Sequence, residues 1–221
     1  MKFGIHQLVF VSRWQDDNLY YLDFVKELGY DAMDIIVRSL DLKTARKLRS
    51  RAESIGLQLI GGGSLPVGMD LLSDNPDVRG KALDYLFDLI RVVHELGSDF
   101  YGGVIYSAMG KLVGRGPNDK DLDLAAEALR KAARYASEFG INLGLEAVNR
   151  YETYVINTAE QTLEMCNRIN EPNVGAFLDT YHMNIEEKNF FDPIIQTGNK
   201  LFHMHLCEND RGIPGSGHVN W

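Results

Sequence analysis

The chain has almost no cysteine: only Cys166 and Cys207 occur in its 221 residues. Two isolated thiols, with no CxxC pair, cannot build a disulfide framework, so the sequence suits a reducing compartment. Both are read as buried spectators. Basic clusters are missing too. Lys and Arg number 23 against 31 Asp and Glu, for a formal charge of −8. A phosphate-backbone partner is therefore not expected, because non-specific nucleic-acid affinity comes mainly from neutralising phosphates. No apolar run approaches the roughly 20 residues that span a bilayer, and Met1-Lys2-Phe3 lacks the basic region and cleavage site of a secretory leader. These absences predict a cytoplasmic protein with no nucleic-acid and no membrane partner, acting on a small uncharged ligand. No linker or low-complexity stretch divides the chain, and its 45% hydrophobic content is enough for one globular domain over residues 1–221.

What is present is alternation. Amphipathic stretches end at a glycine and are followed by apolar runs at Gly29, Gly56, Gly97 and Gly140. Glycine accepts the left-handed backbone that closes a helix, so each junction marks a C-terminus. Asn75-Pro76 and Thr158-x-x-Gln161 mark helix starts. The intervening strands are predicted at Lys2 to Phe10, Asp31 to Val37, Leu57 to Ile60, Asp99 to Ile105, Ile141 to Glu146, Val174 to Asp179 and Leu201 to Cys207. Regular βα alternation implies a parallel sheet, and a series this long implies an α/β fold of the (β/α)8 TIM-barrel class. The expectation is a barrel truncated after strand seven, lacking the last helix-strand-helix. A doubly wound open sheet competes, but Gly4-Ile5-His6-Gln7 is not the glycine-rich phosphate turn such folds carry after strand one.

In either fold, chemistry gathers at the carboxyl ends of the strands. Strand five ends in Glu146, strand six in Asp179, and strand seven carries His203 and His205. Alternation puts Leu143 and Leu145 on one face and Glu146 on the other, with Asp179 opposite Leu178, and His203 and His205 opposite Met204. Two carboxylates and an imidazole converging in a partly apolar funnel would repel and desolvate one another unless a cation held them. Oxygen-rich ligation with one nitrogen favours Mn²⁺, Mg²⁺ or Co²⁺ over structural zinc.

The segments Leu145-Glu146-Ala147-Val148-Asn149-Arg150-Tyr151-Glu152, Leu178-Asp179-Thr180-Tyr181-His182-Met183-Asn184-Ile185-Glu186-Glu187 and His203-Met204-His205-Leu206-Cys207-Glu208-Asn209-Asp210-Arg211 resemble the signatures of the ketose 3-epimerases. These belong to the xylose-isomerase-like barrels and act on D-tagatose, D-allulose and L-ribulose. The resemblance implies a metal-dependent isomerase that inverts carbon 3 of a free ketose through an enediolate. It implies Glu146, Asp179 and His205 as metal ligands, with Mn²⁺ the foremost ion, and Glu146 also as a catalytic carboxylate. Glu152, His182 and Arg211 match residues that hydrogen-bond the substrate; taken alone, Glu152 and Arg211 read as solvated loop charges and His182 as a turn residue. A dimer or tetramer is implied as well. The family's second catalytic glutamate, also its fourth ligand, belongs to an eighth strand. The 221 residues alone are thus expected to be poorly active or to depend on a partner for closure.

His6, at the end of strand one, is assigned to the substrate pocket. Phe10, Trp14 and Tyr106 either line it or pack the core, and His94 is structural. Gly61-Gly62-Gly63 and the stretch from Gly212 to Gly217 read as loops at the barrel mouth rather than phosphate cradles. Competing readings are a hydroxypyruvate or sugar-phosphate isomerase of the same superfamily, an abasic-site endonuclease, and a non-catalytic fragment that binds sugar or metal. Six scattered histidines and the acidic balance count against the endonuclease.

Overall fold

The computed structural model describes residues 1–221. Seven strands form one parallel sheet in chain order: β1 (Gly4–His6), β2 (Ala32–Ile36), β3 (Gln58–Gly62), β4 (Phe100–Gly103), β5 (Asn142–Glu146), β6 (Val174–Asp179) and β7 (Leu201–His205). Between them run α1 (Tyr20–Glu27), α2 (Leu42–Ile55), α3 (Pro76–Leu96), α4 (Asp119–Ser137), α5 (Ala159–Ile169), α6 (Thr180–Glu186) and α7 (Phe191–Thr197). No helix is long and apolar enough to cross a membrane.

The local signals act where the sequence places them. Gly56 and Gly97 close α2 and α3 with φ of 68° and 77°. Asn75 caps α3 ahead of Pro76, and Thr158 and Gln161 form a reciprocal capping box on α5. The outer face of the sheet offers Met33, Ile35, Leu59, Tyr101, Leu143, Leu145, Val174 and Leu178 to the helices. All are buried, as are Leu86, Ile90 and Val93 of α3 and the alanine-rich face of α4 around Leu129. Alternation then turns the polar strand ends inward.

The sheet curls far enough for its outermost strands to meet across the interior. The rings of His6 on β1 and His205 on β7 lie 5.6 Å apart, and Asp34 on β2 reaches both histidines of β7. Phe100 and Phe177 fill the interior, and small neighbours make room for them. A Cβ added at Gly102 or Gly144 would fall 2.6 or 2.4 Å from the Phe100 ring.

Three strands stop two or more residues before their expected ends. β1 stops at His6, because its Nδ1 accepts the Leu8 N–H and starts a single 3-10 turn. β7 stops at His205, because the Cys207 N–H turns to Thr180 Oγ1 at 2.9 Å. β4 stops at Gly103, whose φ of +139° leaves the strand conformation. Conversely, Gly61 and Gly62 are strand rather than loop. They pair with Tyr101 and Gly102, and a Cβ at Gly61 would lie 2.9 Å from both the Phe100 carbonyl oxygen and Val93 Cγ2. A Cβ at Gly103 would lie 1.8 Å from the Gly63 carbonyl oxygen. Backbone overlap and a disfavoured φ act together, so Gly103→Ala is expected to cost about 3 kcal/mol or more. Chemical denaturation checks this, and an unchanged midpoint would show that the β3–β4 crossing tolerates a methyl group.

Candidate active site

The registers of the sheet bring the polar strand ends level. His6 stands beside Asp34, and Asp179 beside His205. Glu146, Asp179 and His182 place donor atoms within 4.8 Å of one another, and Asp34, His203 and His205 form a second such group. The sequence-derived set of Glu146, Asp179 and His205 is therefore divided between two adjoining groups. His205 joins them: its Nδ1 lies 3.7 Å from Asp179 Oδ2, and its Nε2 lies 2.9 Å from Asp34 Oδ2.

Electrostatics distinguish these groups. Burial pushes the Glu146 carboxyl up to about 7, with His205 opposing the rise and Asp179 adding to it. Asp179 is also buried, but hydrogen bonding to His205 and the charges of His182 and His205 outweigh desolvation and hold its carboxyl below the usual range. Burial would depress His205, yet Asp179 and Asp34 on either side raise it to about 10. Two carboxylates thus already enforce a positive charge between them. His6, buried beside that cation, is driven down to about 4 and stays neutral.

His182, the third residue of α6, is fixed from behind. Its Nδ1 accepts from the Asn149 N–H at 3.1 Å, which puts the ring proton on Nε2, 4.0 Å from Glu146 Oε1. Asn149 also binds Glu152, whose Oε1 pairs with Arg211 at 3.2 Å. The Arg211 guanidinium lies 4.0 Å over the Tyr181 ring. Glu152 and Arg211 are therefore a braced pair at the mouth rather than free loop charges, and His182 is a buried member of the site rather than a turn residue.

The remaining aromatic candidates are structural. Trp14 is buried and donates to Gln7 Oε1 at 2.9 Å, while Phe10 packs on Tyr21 and Phe24 outside the barrel interior. Tyr106 is buried, its hydroxyl donating to the Glu146 carbonyl at 2.8 Å, so it supports the end of β5 from below. His94 packs on Phe139 at the end of α3.

Comparison with known proteins turns this geometry into an assignment. The family model described as xylose isomerase-like TIM barrel matches residues 22–221. A ketose 3-epimerase of Arthrobacter globiformis is 36% identical over 225 residues, covering 100% of this chain and 76% of the relative. The crystal structure of a D-psicose 3-epimerase with D-tagatose from Clostridium cellulolyticum H10 superposes with a TM-score of 0.92 at 31% identity, over 100% of this chain and 78% of that one. The chain belongs to the ketose 3-epimerase family. A D-allulose 3-epimerase from Methylomonas sp., solved in complex with D-allulose, superposes equally well at 30% identity, covering 100% of this chain and 76% of its own.

In this family member, two residues of the neighbourhood escape the sequence reading. Asp34 is one. It is buried, its Oδ2 sits between the Nε2 atoms of His203 and His205 at 3.2 and 2.9 Å, and its Oδ1 has no hydrogen-bond partner. Burial alone would raise its carboxyl, but the two histidines hold it far below the usual range. The signal available was a lone carboxylate inside the apolar run Ala32-Met33-Asp34-Ile35-Ile36. The other is Glu208. Its oxygens accept from Gly215 N, Val219 N and Trp221 Nε1, and these bonds outweigh desolvation to hold it at about 2. The glycine-rich stretch from Gly212 to Gly217 is thus a cradle for an internal carboxylate. A Cβ at Gly217 would fall 2.5 Å from Glu208 Oε2.

Proposed function

We propose that this protein epimerises ketoses at carbon 3, with a hard divalent ion as cofactor and Glu146 as a proton carrier. The observation that supports it most is the convergence of Glu146, Asp179 and His182 within 4.8 Å, at the carboxyl ends of strands in a chain of this family.

The residues fit a metal. Oxygen donors with one imidazole suit a six-coordinate ion, and the carboxylates beside His205 draw positive charge to the place where its Nδ1 proton would give way to the ion. Glu146, Asp179 and Nδ1 of His205 would hold the ion; Mn²⁺ is foremost, with Co²⁺ and Mg²⁺ as alternatives. When bound it supplies Lewis-acid stabilisation of negative charge on the substrate's carbonyl and neighbouring hydroxyl oxygens.

The chain's own groups do the rest. A carbon-bound proton beside a ketone is weakly acidic, and the Glu146 carboxylate, which lines the cavity at the end of β5, is placed to take it. The Nε2–H of His182 faces the same space and donates to a substrate oxygen. Arg211 and Glu152, braced by Tyr181 and Asn149, orient the adjoining hydroxyls. Phe100 and Phe177 close the floor against water. Removal by Glu146 on one face yields an enediolate of the substrate, and inversion requires a proton returned from the other face. The resemblance gives that second role to a glutamate on an eighth strand. Glu146 alone supports hydrogen exchange at carbon 3 with retention.

Both outcomes are read in one experiment. The protein is incubated in D₂O with Mn²⁺ or with chelator, and D-fructose, D-tagatose, D-allulose and L-ribulose are followed by NMR. Deuterium at carbon 3, or the carbon-3 epimer, is expected with metal and not with chelator. Absence of both from every ketose removes this reading.

A further inference from the structure

Three glycines stand side by side on the inner face of the sheet. Gly62 on β3 pairs with Gly102 on β4, and Gly102 with Gly144 on β5. A glycine in the body of a strand gives up backbone entropy and side-chain contacts, so each such position needs a reason. At Gly102 and Gly144 the reason is the Phe100 ring, which occupies the space a side chain would take. Gly62 has no such occupant. Its φ is not positive, and a Cβ there would approach nothing closer than the Ile35 and Gly102 carbonyl oxygens, at 3.9 and 4.0 Å. Backbone and neighbours would both accept an alanine.

The missing side chain leaves room in the cavity of the active site. Gly62 lines the same space, of about 170 Å³, as Glu146, His203 and His205. Because the sheet curls until β1 meets β7, β3 stands across the interior from the last strands. A ketohexose held at Glu146, Asp179 and His205 by its carbonyl and carbon-3 oxygens has carbon 1 on one side of these groups and carbons 4 to 6 on the other. The longer arm needs the deeper room, and at Gly62 the wall of the cavity is cut back to bare backbone.

We propose that Gly62 sets the length of ketose the site accepts: the space beside it receives the terminal carbon of a ketohexose, and a side chain at this position shifts preference towards ketopentoses. This rests on the carbon-3 reading of the Glu146 site and specifies the far end of its substrate. The discrimination is one of volume, so the sugar stays uncharged and needs no ionic partner. Strand glycines often mark the close approach of a ligand, and at Gly62 neither a ring nor a second backbone takes that place.

The test compares D-fructose with D-xylulose, which share their configuration at carbons 3 and 4 and differ by the sixth carbon. Carbon-3 exchange in D₂O and calorimetric binding are measured on the Mn²⁺-loaded natural protein, Gly62→Ala and Gly62→Val. One methyl group in a fitted pocket discriminates by about 10-fold or more, so alanine is expected to lower the hexose-to-pentose ratio of kcat/KM by about 10-fold and valine by about 100-fold. Thermal melts without metal or sugar supply a second readout. Gly62→Ala should melt at the same temperature as the natural protein or higher, because alanine restricts the unfolded chain and meets nothing in the folded one. A lower melt for Gly62→Ala would show that the space is not open and overturns the proposal. A ratio unchanged in both variants, whether the two sugars fall together or not at all, overturns it as well. If neither sugar exchanges, the carbon-3 reading fails, while the ratio of calorimetric dissociation constants still decides the role of Gly62 in the same way.

Discussion

Glu146→Gln is expected to lower carbon-3 exchange and epimerisation by about a thousandfold or more, while the protein stays folded. The substitution keeps shape and hydrogen-bonding capacity but removes the proton acceptor and one anionic donor towards a cation. General-base catalysis contributes about 10² to 10⁴ on its own, and a group acting in two roles loses both together. Folding should not suffer in the metal-free protein. A carboxyl raised from its ordinary range to about 7 is a cost to the folded state, absent at low pH and growing as pH rises through that interval. Glutamine removes this cost, so the metal-free variant should melt at the same temperature as the natural protein or higher at pH 8. Thermal melts with and without Mn²⁺, alongside NMR exchange rates, separate the two effects. Turnover retained within tenfold would show that another group takes the proton.

The strand order, the inward face and the polar strand ends were legible because each rests on short-range pattern. Glycine caps at Gly56 and Gly97 set helix ends, and period-two alternation turns Glu146, Asp179 and His205 inward. The rest depends on pairings far apart in the chain. Asp34 meets His203 and His205 across 169 and 171 residues, so nothing local distinguishes it from a chance carboxylate in a strand. Glu152 and Arg211 looked like solvated charges because their pairing spans 59 residues and is braced by a ring from a third segment. The glycines before Ser64 read as loop for a related reason. The approach of Gly61 to the Phe100 carbonyl, and of the Gly63 carbonyl to Gly103, is a property of two neighbouring segments and not of either alone.

Asp34→Asn is expected to weaken Mn²⁺ binding by about 10- to 100-fold, although Asp34 faces the cation site only through His205. A ligating imidazole is oriented by the hydrogen bond its other nitrogen makes, and removal of such a partner typically costs that much affinity. Here Oδ2 of Asp34 holds Nε2 of His205 at 2.9 Å and leaves Nδ1 towards Asp179. Asparagine offers a neutral oxygen in place of the carboxylate, or an N–H₂ group that favours the wrong ring nitrogen. The same carboxylate also holds His203, so the two rings should lose their mutual orientation together. A purely structural role predicts something different: a lower melting temperature without metal and an unchanged Mn²⁺ dissociation constant. Calorimetric titration of Mn²⁺ into the natural protein, Asp34→Asn and His203→Gln decides between them. Weakened binding in Asp34→Asn is expected alongside a lower metal-free melt, since the carboxylate held down by the two histidines also stabilises the fold at neutral pH, and unchanged binding would confine Asp34 to that structural role. His203→Gln, which leaves the Asp34–His205 contact in place, should weaken binding less.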